Sequence, residues 1–385
     1  MSDDEPDPDS PTDDPVAVDH ALEQAGAETD APLAAIVAKP QTETALESLR
    51  AEGVYDDSRR VREDGPERVA LPVTAPPTDT RVLEVVRQLE PEPRNPDLKA
   101  LLADRGWSDD ALDSAPGSWA VIGSVILVTV PDDCHDETDL AESLLELHGE
   151  ADSVLADEGI ENDGDAGTYR EPRTRLLAGE CDTETIHTEH GTRYGLDPAK
   201  VMFSPGNQAE RARLGDLVTA DETVFDMFAG IGYFTLPMAR AGAQVTATEL
   251  NPTAFRYLLE NAMLNDVGDR VDAYMSDCRE LAGEVDADRV VMGYYGSADD
   301  SEDDAHGTRT DEAHEFLPSA LEALVPGGVV HYHEATPESR LWERPIARLK
   351  AAGEDAGRDL EILEKRQVKS HSAGVEHVVV DAQFE

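Results

Sequence analysis

Hydrophobic and polar positions change their pattern several times along the chain. Residues 1–30, opening "MSDDEPDPDSPTDDP", show no apolar periodicity and carry neither Lys nor Arg, so they predict a disordered acidic tail. From Pro32 the continuous apolar run "LAAIVA" predicts a strand. Ala45, Leu46 and Leu49 follow at helical spacing, Gly53 stops that helix, and "RVALPV" predicts a second strand. This strand–helix–strand unit predicts a small α+β domain over residues 31–76. "TAPPTDT" links it to a second α+β segment over 77–190, with a helix expected near 80–90, a strand over 119–130 and a helix over about 138–149. A stretch rich in glycine and aspartate follows, and "ETIHTEHGTRYGLDPAKVMFSPGN" reads as a hairpin leading into a loop.

From Glu222 onward strands and helices alternate. "TVFDMFA", "QVTATEL", "RVDAYMS", "DRVVMGYY" and "GVVHYHEA" are strands separated by helical patterns, and "LEILEKRQVK" and "VEHVVVDAQFE" close the chain as a tight hairpin. Five strand–helix units and a hairpin predict an α/β fold: a doubly wound, Rossmann-like sheet with an antiparallel C-terminal edge, spanning 191–385.

Within that domain, "DMFAGIGYF" ends a strand at Asp226 to Phe228 and turns through Ala229-Gly230-Ile231-Gly232 into a helix. Glycine permits positive φ and close approach of backbone to a ligand, although such a loop alone is equally a sharp strand–helix turn. The next strand ends at Glu249, nineteen residues beyond Gly230, where a carboxylate accepts both hydroxyls of a ribose. A dinucleotide fingerprint needs a third glycine where this chain has Thr235, and S-adenosylmethionine, lacking a pyrophosphate, does not. The third strand ends in Ser276-Asp277-Cys278, placing a carboxylate for an adenine amine. The three strand ends together predict an S-adenosylmethionine site. One feature breaks the methyltransferase pattern: after the fourth strand, where an Asn/Asp-Pro-Pro-aromatic motif handles an amine to be methylated, this chain has Met292-Gly293-Tyr294.

Charge changes the picture of partners. Lys and Arg number 32 against 83 Asp and Glu, a formal net charge of −51. Such acidity ordinarily argues against nucleic acid, because phosphate contacts need clustered cations. It is spread over the whole chain, however, as suits a cytoplasm of multimolar salt. There the screening length is about 3 Å or less, and net charge no longer excludes RNA. The densest basic clusters are Arg170, Arg173 and Arg175, and Arg59, Arg60 and Arg62. Three scattered cysteines predict neither a disulfide framework nor a zinc knuckle, and the reducing cytosol is the expected setting. No signal-peptide pattern opens the chain, and its longest apolar run, "WAVIGSVILVTV", is too short to span a bilayer. His331 and His333 lack a third ligand at sensible spacing and are read as packing residues, so no metal is expected.

"KVMFSPGNQAERAR" joined to "VFDMFAGIGYF", with "SWAVIGSVILVTVP", "YREPRTRLLAG" and "TEHGTRYGLDPAKVMFSP" in the same order, resembles the family of tRNA guanine-N1 methyltransferases and wybutosine-synthesising transferases. The resemblance runs from about residue 32 to the C-terminus. "DRVVMGYY" followed by "HEFLPSALEALVPGGVVHYHEATPE" is similar to the wybutosine-synthesising branch. That branch implies transfer of the 3-amino-3-carboxypropyl group of S-adenosylmethionine to C7 of 4-demethylwyosine at position 37 of phenylalanine tRNA. The implied partner is the anticodon loop, with neither DNA nor a membrane. Guanine-N1 methylation at the same position, and a non-catalytic RNA-binding protein with a relict cofactor fold, are the alternatives. The resemblance places cofactor contacts at Ser204, Arg211, Glu249, Asp277 and Cys278, beside Asp226, Phe228 and Gly230 of the glycine loop, and Ser204 and Arg211, which precede the sheet, are expected at the amino-acid end of the cofactor. Two departures stand out: Cys278, where the family often has Asn, and the acidic insert Gly296 to Ala313.

Overall fold

The computed structural model describes residues 31–88, 91–92, 97–161, 164–294, 313–372 and 374–385. The acidic tail, Tyr295 and all but the last residue of the acidic insert lie outside the described residues.

The chain divides into two compact units, Met1–Asp97 and Leu98–Glu385. In the first, strand β1 (Leu33–Ala38), helix α1 (Thr42–Ala51), the short β2 (Arg62–Glu63), β3 (Arg68–Val73) and β4 (Glu84–Arg87) build an antiparallel sheet of order β2-β3-β1-β4. The helix expected near 80–90 is instead the edge strand β4, whose Val85 and Val86 pair with Ala35 and Ala34. Two adjacent β-branched residues beside the free edge of β1 outweigh a weak helical pattern. That pairing carries the first unit beyond residue 76, where its end was expected. Arg59, seven per cent exposed, stitches this sheet together by donating to Asp56, Gln88 and the carbonyls of Leu33 and Val73.

The second unit begins with α2 (Leu98–Asp104) and α3 (Asp109–Asp113). The expected single strand over 119–130 is a hairpin, β5 (Ala120–Ile122) and β6 (Val125–Val128), turning at Gly123, which adopts φ +57°. Helix α4 (Glu137–Leu147), capped by the Asp136 side chain, crosses to β7 (Ser153–Ile160), parallel to β6. After α5 (Gly164–Thr168), β8 (Pro172–Gly179) completes the sheet β5-β6-β7-β8. A separate hairpin, β9 (Thr185–Glu189) and β10 (Thr192–Leu196), leads to α6 (Gln208–Leu217).

The large sheet follows: β11 (Thr223–Asp226), α7 (Thr235–Ala241), β12 (Gln244–Thr248), α8 (Pro252–Leu264), β13 (Val271–Tyr274), α9 (Cys278–Leu281), β14 (Ala287–Met292), α10 (Leu317–Ala323), β15 (Leu324–Pro337), α11 (Glu343–Ala356), β16 (Leu360–Ser372) and β17 (Val375–Phe384). Its order is β13-β12-β11-β14-β15-β17-β16, with β17 antiparallel to β15 and to β16. The expected Rossmann-like sheet with its antiparallel hairpin is therefore the fold observed. Central strands such as β14 are apolar through their final residues because helices cover both faces of the sheet. The strand order reverses between β11 and β14, and a crevice opens there at the carboxyl ends of the strands.

Among the described residues, no helix is long and apolar enough to cross a membrane.

Candidate active site

A cavity of about 630 Å³ occupies that crevice. It is lined by the glycine loop, the ends of β12 and β14, the turn before α6, and, from the region of β7, α5 and β8, by Gly159 to Glu161, Gly167 to Arg170 and Arg173. Gly230 and Gly232 take φ of +57° and +101°. A Cβ on Gly230 would lie 2.2 Å from the Tyr233 ring, so the loop is open to a ligand only as glycine.

Of the residues expected at the site, Ser204, Arg211, Phe228, Gly230, Glu249, Asp277 and Cys278 line the cavity. Asp226 does not. It is fully buried beneath the loop, where Oδ2 accepts from the Thr235 hydroxyl at 2.7 Å and Oδ1 from the Phe228 amide at 3.4 Å. It ties the two ends of the glycine turn together rather than facing a ligand. Burial pushes its carboxyl up to about 6, against the hydrogen bond from Thr235 and with help from the charge of Glu249. A raised acid favours the fold when protonated, so this contribution is complete below its ordinary value of 3.8 and is lost as pH rises through about 6. Asp226→Asn, neutral and of the same shape, is therefore expected to gain stability relative to wild type between pH 4 and pH 7, by at most about 3 kcal/mol. Urea unfolding at the two pH values checks this, and a pH-independent difference would refute it.

Glu249 closes the loop. Its carboxylate accepts from the Gly230 amide at 2.8 Å and the Asn251 amide at 2.7 Å, which holds the ribose-binding group against the glycine turn. Asn251, missed by sequence reasoning, caps α8 with its side chain and lines the cavity. "ELNP" carried that signal, because Asn before Pro is an N-cap signature. Asp277 caps α9, and its carboxylate also receives Nε and Nη2 of Arg279 at 2.9 and 2.6 Å. Cys278 is a buried thiol beside it, its Sγ 3.8 Å from Asp277 Oδ1.

Arg211 departs from its expected role. Its Nε and Nη2 both go to Glu189 at 2.7 Å, and Nη1 donates to the Ser204 carbonyl at 3.0 Å. The bidentate fork expected for a ligand carboxylate is committed within the protein. Ser204 is met from the other side: Lys369 of β16 donates to its hydroxyl at 2.6 Å.

The opposite wall is aromatic. Tyr294 packs 5.3 Å from Phe228 and 6.1 Å from Phe316, and the Arg170 guanidinium lies 5.5 Å from its ring centre. Arg170 holds φ at +52°, an uncommon conformation for a residue with a Cβ. Gly293 has no side chain because a Cβ would lie 2.9 Å from the Phe234 ring. Of the basic clusters, Arg170 and Arg173 line the cavity, whereas Arg175 is paired with Glu137 and Glu158. His331 bonds Asp381 and Arg289, and His333 bonds His377. Burial pushes His333 down to about 3, so it is neutral inside the sheet.

A family model described as the TRM5/TYW2 methyltransferase domain matches residues 185–363, and one described as the TYW2 N-terminal domain matches residues 98–183. A protein of Pyrococcus horikoshii named tRNA(Phe) (4-demethylwyosine(37)-C(7)) aminocarboxypropyltransferase is 39% identical over 268 residues, covering 69% of this chain and 88% of that protein. The crystal structure of P. horikoshii TYW2 in complex with MeSAdo is similar with a TM-score of 0.61 and 35% identity, over 74% of this chain and 96% of the other. That of Trm5b from Pyrococcus abyssi is similar with a TM-score of 0.67 and 29% identity, over 92% of this chain and 99% of the other.

Proposed function

The chain belongs to the TRM5/TYW2 family, and from that membership we propose that it transfers the 3-amino-3-carboxypropyl group of S-adenosylmethionine to C7 of 4-demethylwyosine at position 37 of phenylalanine tRNA. The observation that carries the reading is the cavity wall after β14. Met292-Gly293-Tyr294 offers no amide or carboxylate side chain to an amine, and the cavity offers instead the aromatic rings of Tyr294 and Phe228, with the buried Phe316 packed behind them. A flat tricyclic base needs stacking and placement more than it needs a strong base, and aromatic faces supply both.

The cavity fits the cofactor. Its volume lies within the usual range for small-molecule sites, and the glycine turn, Glu249 and the Asp277–Cys278 start of α9 stand in the order that suits a nucleoside. Glu249 receives the ribose hydroxyls, Asp277 and Cys278 receive the adenine edge, and the Ser204 turn receives the amino-acid end. S-adenosylmethionine supplies a sulfonium-activated carbon: the new bond forms between C7 and that carbon, the carbon–sulfur bond breaks with its electron pair going to sulfur, and C7 loses its proton. The protein decides which of three activated carbons meets the base, by placement. Arg170 and Arg173, at the cavity mouth, suit the phosphates of an anticodon loop, while Arg175 and Arg59 serve their own units.

Similarity to the Trm5b structure over 92% of the chain favours guanine-N1 methylation as a second reading. Two cofactors decide between them, one labelled in the methyl group and one in the aminobutyrate chain, each incubated with tRNA carrying 4-demethylwyosine. The aminobutyrate label is expected in RNA and the methyl label in methylthioadenosine. Methyl label in RNA would overturn the proposal.

A further inference from the structure

Among the described residues the cavity is lined by three carboxylates, those of Glu161, Glu249 and Asp277, and by neither a histidine nor a lysine. Two of the three are engaged. Glu249 takes the amides of Gly230 and Asn251, and Asp277 takes the guanidinium and the amide of Arg279. Glu161 is different: its side chain accepts no hydrogen bond and forms no ion pair among the described residues. Arg173, which also lines the cavity, turns its Nε and Nη2 to the Glu158 carbonyl instead.

The backbone of Glu161 is nevertheless fixed. The residue directly follows β7, where Ile160 pairs with Pro172, and its amide donates to the Glu171 carbonyl at 2.8 Å. That register sets Glu161 across from Glu171 and its neighbour Arg170, on the wall whose Arg170 guanidinium lies 5.5 Å from the centre of the Tyr294 ring. An uncommitted carboxylate on an anchored backbone therefore stands on the side of the cavity that receives the base.

The transfer reaction needs such a group. As C7 attacks the activated carbon, the carbon–carbon bond forms and the carbon–sulfur pair goes to sulfur. The positive charge of the sulfonium passes to the ring. The bond between C7 and hydrogen then breaks, its electron pair returns to the ring, and the proton must go to an acceptor. A ring carrying positive charge gives up that proton readily, so a weak base is sufficient.

We propose that Glu161 is the catalytic base of the transfer: its carboxylate takes the C7 proton and passes it to water. Its negative charge also faces the positive charge as that moves from sulfur to the ring, which favours the transition state. Glu249 and Asp277, committed to the glycine turn and to α9, are left to hold the nucleoside. The assignment rests on the transfer reaction proposed above, because only that reaction breaks a bond between C7 and hydrogen.

Glu161→Gln keeps the shape of the side chain and removes its charge. Wild-type enzyme is first used to follow the aminobutyrate label into tRNA carrying 4-demethylwyosine, which establishes the reaction. Turnover by Glu161→Gln is then expected to fall about a hundredfold, with KM for both substrates within about threefold of wild type. Base deuterated at C7 supplies a readout that a structural role would not move: slowing by deuterium is expected to appear or grow in the variant, because proton removal has become the slow step. In Glu161→Ala, added formate is expected to restore part of the turnover by entering the space the side chain leaves. Methylthioadenosine binding within about twofold of wild type reports a folded site. Should both variants fail to fold, Glu161→Asp, with its carboxylate drawn back by one bond, repeats the deuterium comparison. Unchanged turnover in Glu161→Gln, or a loss carried by KM with neither a deuterium effect nor formate rescue, overturns the assignment while the transfer reaction stands. Methyl label in RNA from the wild-type enzyme overturns the transfer reaction itself, and the base with it.

Discussion

Glu189→Ala is expected to destabilise the second unit by about 3–5 kcal/mol, because it leaves the Arg211 guanidinium buried without its anion. Arg211 is three per cent exposed and Glu189 four per cent, so water cannot replace the lost partner. Burial alone would push the Glu189 carboxyl up, but hydrogen bonds from His187 and Arg211, with the charge of Arg211, hold it below its ordinary value of 4.5. The stability this pair contributes is therefore present above pH 4.5 and is lost as pH falls through the lower, folded value. Function follows the same bond. Arg211 Nη1 holds the Ser204 carbonyl, so loosening Arg211 frees the turn that carries Ser204 and Asn207 into the cavity. Urea unfolding of the single variant, and of Glu189→Leu paired with Arg211→Leu, checks the argument. The double variant is expected to recover much of the loss, since removing both charges leaves neither unpaired. A single variant within about 1 kcal/mol of wild type would show that Arg211 finds another partner.

What the sequence revealed was whatever local chemistry decides. Alternation of apolar strands and amphipathic helices announced the seven-stranded sheet, and the positive-φ glycines at 230 and 232 announced the loop. Glu249 and Asp277 were legible because a strand that ends in a carboxylate beside such a loop has few other uses. Three things depended on tertiary partners. The segment 84–87 became a strand because β1 offered its two adjacent valines an unpaired edge, and that edge is not visible in the four residues themselves. Asp226 read as a ligand group but points beneath the loop, since the direction of a side chain at a strand end follows from register. Arg211 read as a carboxylate binder because its motif matched, but Glu189 arrives from β9 and occupies it. The contact of Lys369 with Ser204 was invisible for the mirror-image reason: Lys369 sits on the antiparallel strand β16, among charged residues typical of a sheet edge, and only the fold brings it to Ser204.

Glu249→Ala is expected to weaken both S-adenosylmethionine and methylthioadenosine by about tenfold to a hundredfold. The ribose is common to the two ligands, and a carboxylate accepting from sugar hydroxyls makes charge-assisted bonds that contribute roughly 1.5–3 kcal/mol. The backbone amides of Gly230 and Asn251 each donate to one of the two Glu249 carboxylate oxygens. Those amides fix its orientation before ligand arrives, so little ordering is left to oppose binding. The same two bonds make the residue part of the loop: alanine also releases the Gly230 amide, and some of the loss belongs to a slackened turn. Glu249→Gln separates the contributions. Its amide keeps one carbonyl acceptor in place of two charged oxygens, so it is expected to fall between wild type and alanine for both ligands. Calorimetric titration decides the matter. Unchanged affinity for methylthioadenosine in a folded Glu249→Ala protein would remove Glu249 from the ribose site, and a loss confined to S-adenosylmethionine would move it to the amino-acid end of the cavity.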